Sequence, residues 1–524
     1  MSMQSLSKQL FFIISYAIFL CGGCTSAPTQ RQASQPIPIT PSPVIVNGNT
    51  PTALEAAISP LPLPTATLPT LLDPLLIPAG IDHMPTLTHD LLFVNQQGVQ
   101  YWNHQTNQIN LLIAPTLGRG PTGAQMVDRQ AGPGLPIGTI SALSVSRSGE
   151  KIAYVRYTGS GNGQDYYQID LYDRTTEETI TLVHEVTRLF DMALSPDGEW
   201  VAYAVQDAGP VAHKTTGLAA PLQLPNRGDG PQSAKVWVVQ TNGSTQPNQV
   251  GLCHGPVSPD VSLQCTRKII WSTDNQLAWS DAEGLWIAMP TSDSANLILQ
   301  HETGAPSSIK AYTPLVWSPS GHDLLIGIGH YEGGSQAVMD IATKRVEEVS
   351  NSFEYTKPGV RLRWMADDRI VLARPGDPDE KSSPTIEIWS ITDGEEALLH
   401  QERSAAIPVS AQGVPTAPFQ FIDGRIGFAV LHSHPQYTLD RGLFIWDQEQ
   451  IQHVADLPRS AENPVEPGIA RLSGDLYWAP DGAGAILQDL ELGTLVYVPT
   501  DGTPLYDLKP LTGDYVWGIT WLPN

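Results

Sequence analysis

Residues 191–207 read DMALSPDGEWVAYAVQD. Ser195-Pro196-Asp197-Gly198 is a corner between two extended runs. Pro196 presets φ for the first corner position, Asp197 can hydrogen-bond within its own turn, and Gly198 is free to take positive φ. The run that follows, Val201-Ala202-Tyr203-Ala204, is apolar on both faces. A sheet with one wet face would alternate, so this strand is covered on both sides.

Worn copies of the pattern start at Ser144, Leu194, Trp271, Trp317, Trp364, Phe421, Trp478 and Trp521. Pro319 and Pro480 repeat the role of Pro196, with Ser318 before the first and Asp481 after the second. Gly149, Gly321, Gly424 and Gly482 repeat that of Gly198. Successive starts are about 43 to 57 residues apart, with one gap of about 77. That period, with short apolar runs between turn signals, belongs to β-propeller blades. Most units add a third and fourth strand, as in QIDLYD with TITLV and TIEIWS with EALLH.

The two ends of the array complete each other. Residues 515–522 (YVWGITWL) form a first strand with nothing after it. Residues 90–113 hold later strands with no first strand before them. Joined, they make one blade and remove the open edges. The fold expected is all-β: a single propeller of eight four-stranded blades over residues 87–524, with seven the alternative if one weak unit is misread.

The S-P-D-G-x-x-[IV]-A-Y-[AV] core resembles the WD40-like repeat of TolB-type propeller proteins and of prolyl-oligopeptidase-type peptidases. The resemblance implies the fold and is nearly silent on function. TolB-type proteins place an α/β domain before six blades, where this chain has a proline-rich stretch. The peptidases carry an α/β-hydrolase domain, for which no room is expected before Asn524.

Residues 1–23 read as a signal peptide: Lys8, the apolar run Leu10 to Leu20, then small residues before Cys24. The LCGGC stretch resembles a lipoprotein lipobox, although Cys21 stands where that family favours Leu. The resemblance implies that Cys24 carries the lipid and begins the mature chain. Residues 24–86 then read as a lipidated N-terminus and a Pro/Thr-rich stalk, polyproline II or disordered. At about 3.1 Å per residue it would reach at most about 190 Å. The expected location is extracytoplasmic, held to the cell membrane or outer membrane.

Cys253 and Cys265 remain. Two cysteines about a dozen residues apart in a turn-rich loop can close a disulfide after export, worth roughly 3 kcal/mol in the chain-entropy model. A metal pair with His254 is the alternative, but two thiols and one His make an incomplete site.

The formal net charge is −24. Such a surface repels phosphate backbones, so nucleic acid is not an expected partner. No catalytic constellation is found. His184-Glu185 and His301-Glu302 start like H-E-x-x-H but lack the second His. The glycines at 159–163 join two strands and open no helix. GDPDEKSS from Gly376 lacks the alternating ligands of a calcium loop. His432 and His434 alone do not make a metal site. The aromatic column at the repeat starts is read as a structural wedge between blades, with a ring of tryptophans at the channel mouth as the alternative. No cofactor or metal is expected.

Long connections between second and third strands and between blades leave the same side of an antiparallel disc, giving one elaborated face. The function expected is a monomeric, non-enzymatic module binding an envelope protein, peptide or glycan through that face. The alternative is an extracytoplasmic propeller enzyme, a glycan hydrolase or lyase with an acidic site at the channel.

Overall fold

The computed structural model describes residues 76–79, 84–115, 137–161, 164–187, 189–206, 234–253, 268–302, 309–330, 333–350, 362–376, 382–392, 398–409, 413–432, 442–457, 476–489, 494–513 and 516–523. The chain divides into two units, Met1–Pro69 and Thr70–Asn524. All described residues belong to the second.

They form eight four-stranded blades in a ring, an eight-bladed propeller. Blade 1 takes its first strand, Trp517–Trp521, from the end of the chain and continues with Leu91–Asn95, Gly98–Asn103 and Gln108–Ile113. Leu91 lies opposite Trp521 and Leu92 opposite Thr520. Blades 2 to 8 begin at Ile140, Leu189, Ile270, Ala311, Leu362, Gly413 and Leu476, and each runs outward in chain order. First strands of neighbouring blades contact one another, which puts them at the axis.

The second strands show why they are apolar on both faces. Side chains alternate across a strand. Val201 and Tyr203 enter the core shared with blade 2, while Ala202 and Ala204 enter the core shared with blade 4. Leu92 and Val94 face blade 2, and Leu91 and Phe93 face blade 8. Eight apolar clusters result, one at each junction. The closing junction packs Phe93 and Trp102 on Ile486 and Tyr497.

The fourth strands share a device that no local pattern announces. In blades 1 to 7 the outer strand carries an unpaired residue where the register shifts: Leu112, Leu182, Val250, Ile298, Val349, Glu402 and Val454, and in blade 2 the register shifts a second time between Val183 and Val186. A bulge twists the strand and spoils it as a template for a further chain. Blade 8 has no such bulge, since Val496 and Tyr497 pair regularly with Asp507 and Tyr506.

That regular edge is occupied. Leu76–Pro78 adds to it as a fifth strand, parallel to Leu505–Asp507, and Ala79 N–H donates to Asp507 O at 2.8 Å. The segment read as proline-rich stalk therefore ends in a strand at Leu76–Pro78. Pro78 is tolerated because the strand is outermost, where no further neighbour needs its missing N–H. Ala79 and Leu87 are buried in the closing junction, with Met84 packed against it. The N-terminal segment thus clasps the same seam that the C-terminal strand closes.

Candidate binding site at the propeller axis

The corners between first and second strands build one mouth of the axis. At the blade 3 corner, Gly198 N–H donates to Ser195 O (2.9 Å) with Gly198 at φ +73°. The buried Ser195 hydroxyl donates to Asp197 Oδ1 (2.6 Å) and accepts Trp200 N–H (2.9 Å). Ser146, Ser272 and Ser318 accept the matching amide in blades 2, 4 and 5. Serine recurs there because its hydroxyl satisfies a donor at the start of the next strand. Gly321 and Gly482 close their corners by the same amide bond, to Ser318 O and Ala479 O. Asn275 and Asp368 take glycine's place at φ +59° and +62°, which Asn and Asp tolerate best among the other residues.

Each corner is also tied to the next. Pro196 O accepts Arg147 N–H, Pro319 O accepts the Thr273 hydroxyl, and Pro480 O accepts Ile422 N–H. Asn275 donates to Asp197, and Asp368 Oδ1 accepts Ser320 N–H. Gln420 Oε1 accepts Ala366 N–H, and His89 lies 3.7 Å from Asp481. Leu522 and Pro523 pack beside Gly149. The repeat-turn residues, read singly in the sequence, together form a belt around the ring. Although partial burial opposes ionisation of Asp197, bonds from Ser195, Glu199 N–H and Asn275 hold its carboxyl below the usual range.

The tryptophans wedge the first strands. Trp271, Trp364, Trp478 and Trp521 each donate the indole N–H to a carbonyl on the preceding blade's first strand: Ala193, Val316, Ala417 and Tyr477, at 3.0–3.2 Å. Phe421 does not belong to this column. Its carbonyl accepts Gly424 N–H, as Ser195 O accepts Gly198 N–H, so it holds the serine position. Gln420, opposite Ile426, holds the tryptophan position. The blade 7 corner is one residue shorter than that of blade 3, as in blades 4 and 6, since Phe421 N–H donates to Arg425 O where Ser195 N–H donates to Trp200 O, and Phe421 packs edge-on against Trp478 (5.3 Å between centroids).

This packing separates two substitutions. Gly424 (φ +88°) has open space where a Cβ would point, whereas a Cβ on Gly482 (φ +77°) would sit 2.7 Å from the Phe421 ring. Gly424→Ala is expected to cost about 1 kcal/mol for the left-handed backbone alone. Gly482→Ala is expected to cost roughly 1–3 kcal/mol more from overpacking. Urea denaturation of both variants checks the difference.

At the corner mouth lies a cavity of about 590 Å³, spanned by blades 2 to 6. Trp271, Trp317, Trp364, Val316, Pro196 and Arg147 are among its walls. In the bore, Asp191 accepts Met192 N–H (2.9 Å) and Ile269 N–H (2.6 Å). Lys268 Nζ donates to Leu315 O (2.7 Å), and the Arg363 guanidinium lies 5.9 Å from the Phe419 ring centre. Burial pushes the Asp191 carboxyl up, against those two backbone bonds. Lys268 touches solvent along the bore but is ringed by protein atoms, and this desolvation lowers its amine despite Asp191. These are the groups an acidic channel enzyme would have drawn on, and both are bonded to backbone.

Other residues weighed in the sequence fall elsewhere. His301 is buried, accepts Tyr312 N–H at Nδ1 (3.1 Å) and so donates from Nε2 to Asp281 O (2.6 Å). Burial lowers its pKa below the usual value. A lowered histidine gives stability that is complete above the unfolded pKa of about 6.5 and lost as pH falls below it. His301→Gln is therefore expected to flatten part of the stability loss between pH 6.5 and 5, measured by thermal melts. His184 and Glu185 sit exposed on the outer strand Glu178–Thr187. Cys253 ends the outer strand Asn248–Cys253 and His432 ends Ile426–His432, each described by backbone alone. Cys24, His254, Cys265 and His434 lie outside the described residues. Among the described residues no group of three His, Cys, Asp or Glu is placed to hold a metal. No helix there is long and apolar enough to cross a membrane.

No family model matches the chain, and no curated protein matches it. Solved structures do. Porphyromonas gingivalis dipeptidyl peptidase 4 is 10% identical, with 80% of this chain and 57% of that one covered at a TM-score of 0.48. Pyrococcus horikoshii acylaminoacyl peptidase is 12% identical, with 76% and 52% covered at 0.36. TolB from Acinetobacter baumannii is 14% identical, with 71% and 82% covered at 0.28. The chain spans little more than half the length of the two peptidases. The eight-bladed propeller is shown by the chain's own strand topology.

Proposed function

We propose that the protein is an exported, membrane-tethered propeller that binds an envelope protein, peptide or glycan through its loop-rich face, without catalysis. The observation that carries this reading is the division of the connections. The belted corners and the third-to-fourth-strand turns are short and share one face. The connections at 116–136, 207–233, 254–267 and 458–475 all leave the other. A rigid ring that carries its longest loops on one rim is built for recognition. A glycan hydrolase or lyase at the channel is the weaker reading, because Asp191 and Lys268 are committed to backbone partners.

The test uses the full chain as bait in a solubilised envelope extract. A stoichiometric partner that is lost when residues 207–233 are replaced by a short Gly-Ser linker supports the reading. Turnover of a glycan or peptide panel by the purified protein contradicts it. Tethering is tested by Cys24→Ala, which is expected to move the protein from the membrane to the soluble fraction. Mass spectrometry under non-reducing conditions is expected to find Cys253 linked to Cys265.

A further inference from the structure

We propose that the outer edge of blade 8 is a strand-addition site that takes a short apolar segment of a partner protein in parallel, and that Leu76–Pro78 is a detachable strap filling it from within the chain. The site lies on the outer wall of the ring, away from the long loops, so this inference stands apart from the function proposed above.

The edge comes first. The bulged outer strands of blades 1 to 7 are poor templates for a further strand. Leu505–Asp507 of blade 8 is regular, and its edge is the one that accepts a strand. Leu76, Ile77 and Pro78 pair with Leu505, Tyr506 and Asp507, and Ala79 N–H donates to Asp507 O. Pro78 offers no donor to a further chain, so the strap ends the sheet. With the strap released, a regular edge is bare.

The register states what that edge accepts. Ile77 lies opposite Tyr506, which packs on the closing junction, and Ala79 is buried in the same junction. Pro78, between them, is exposed. An occupant therefore needs an apolar residue, a spacer and a small apolar residue on an extended backbone. Main-chain bonds supply the attraction and the alternate side chains supply the selectivity.

The strap is the weakly held part of the seam. Its ladder is three residues long, and Ile77 is half-buried. Its lead into blade 1 is anchored by Leu87, yet it carries Thr88 Oγ1 and His89 Nδ1, two buried polar atoms without a hydrogen-bond partner. His89 Nε2 faces Asp481 at 3.7 Å. Opening hydrates such atoms, so this segment gains less from burial than Leu91–Val94, which is fully buried and paired on both sides.

Hydrogen exchange of the full chain tests the release. The Ala79 amide is expected to exchange at least about a hundredfold faster than those of Leu91–Val94, and equal protection would overturn the proposal. The partner's strand is represented by a fluorescent synthetic peptide of residues 71–83, titrated into the full chain by anisotropy. One saturable site is expected, at least about tenfold tighter in full-length Ile77→Asp, where the strap competes less. The peptide carrying Ile77→Asp itself is expected not to bind. In the full chain with Ile77→Cys/Tyr506→Cys, oxidation is expected to abolish peptide binding and reduction to restore it. Binding that this lock leaves unchanged, or no binding to Ile77→Asp, would overturn the site. A concentration-dependent dimer abolished by the lock would put a second copy's strap on the edge and overturn the foreign partner.

Discussion

A chain ended at Gly513 is expected not to fold cooperatively. It lacks Trp517–Trp521, and with that strand the ladder to Leu91–Asn95. Val516, Ile519 and Leu522 are each 5% exposed or less in the ring, and Trp521 donates across the closing junction to Tyr477 O. Each large apolar side chain is worth roughly 1.5–3 kcal/mol when buried. Their sum approaches the whole stability of an ordinary domain, about 5–15 kcal/mol. The truncation also uncovers the edge of Leu91–Val94, whose side chains are fully buried in the intact protein. An apolar edge of that kind pairs with other chains, so aggregation should accompany the loss. Size-exclusion chromatography and thermal melts check this. A monomeric truncation melting like the full chain would refute the closure.

Asp170→Ala is expected to cost about 3–5 kcal/mol. Asp170 is 1% exposed in blade 2 and accepts Arg156 Nε at 3.0 Å. Its other oxygen accepts Gln168 (2.6 Å) and Thr181 (2.8 Å), while Arg156 also donates to Tyr154 OH (2.8 Å). Removing the carboxylate strands a buried guanidinium and leaves two donors unpaired. The double variant Arg156→Met/Asp170→Leu removes both charges, so it is expected to lose far less than the single one. Denaturant melts of the three chains decide it. Equal losses in single and double variants would show that packing, not the uncompensated charge, sets the cost.

The parts of this fold legible in the sequence are those built from neighbouring residues. Pro196, Asp197 and Gly198 announce a corner because each has a local backbone job. Val201 to Ala204 announce a strand covered on both sides because alternate residues enter two different cores. The ring closure was legible because a first strand without successors and successors without a first strand stood at opposite ends.

What escaped depends on distant partners. Leu76–Pro78 joins blade 8 through backbone bonds that leave no periodicity, and the surrounding prolines argue for a stalk. Phe421 looks like another tryptophan-column residue because it is aromatic, but the hydrogen bond to Gly424 assigns it one position later. The extra residue in seven outer strands is usually apolar, so the pattern passes over it. The belt of corners arises only once blades stand side by side. The candidate site was half visible: its tryptophans stood out as wedges, but the cavity between them needs five blades to exist.

The most direct measurement of the central claim is a crosslink across the closing strand. Leu92 and Thr520 lie opposite one another, 428 positions apart in the chain. In the oxidised Leu92→Cys/Thr520→Cys chain, peptide mapping should recover positions 92 and 520 joined by a disulfide, with a shifted non-reducing gel band. The mismatched pair Leu92→Cys/Trp517→Cys should stay reduced under the same oxidation. Ready bonding in the mismatched chain, or none in the matched one, would mean that the last strand does not complete the first blade.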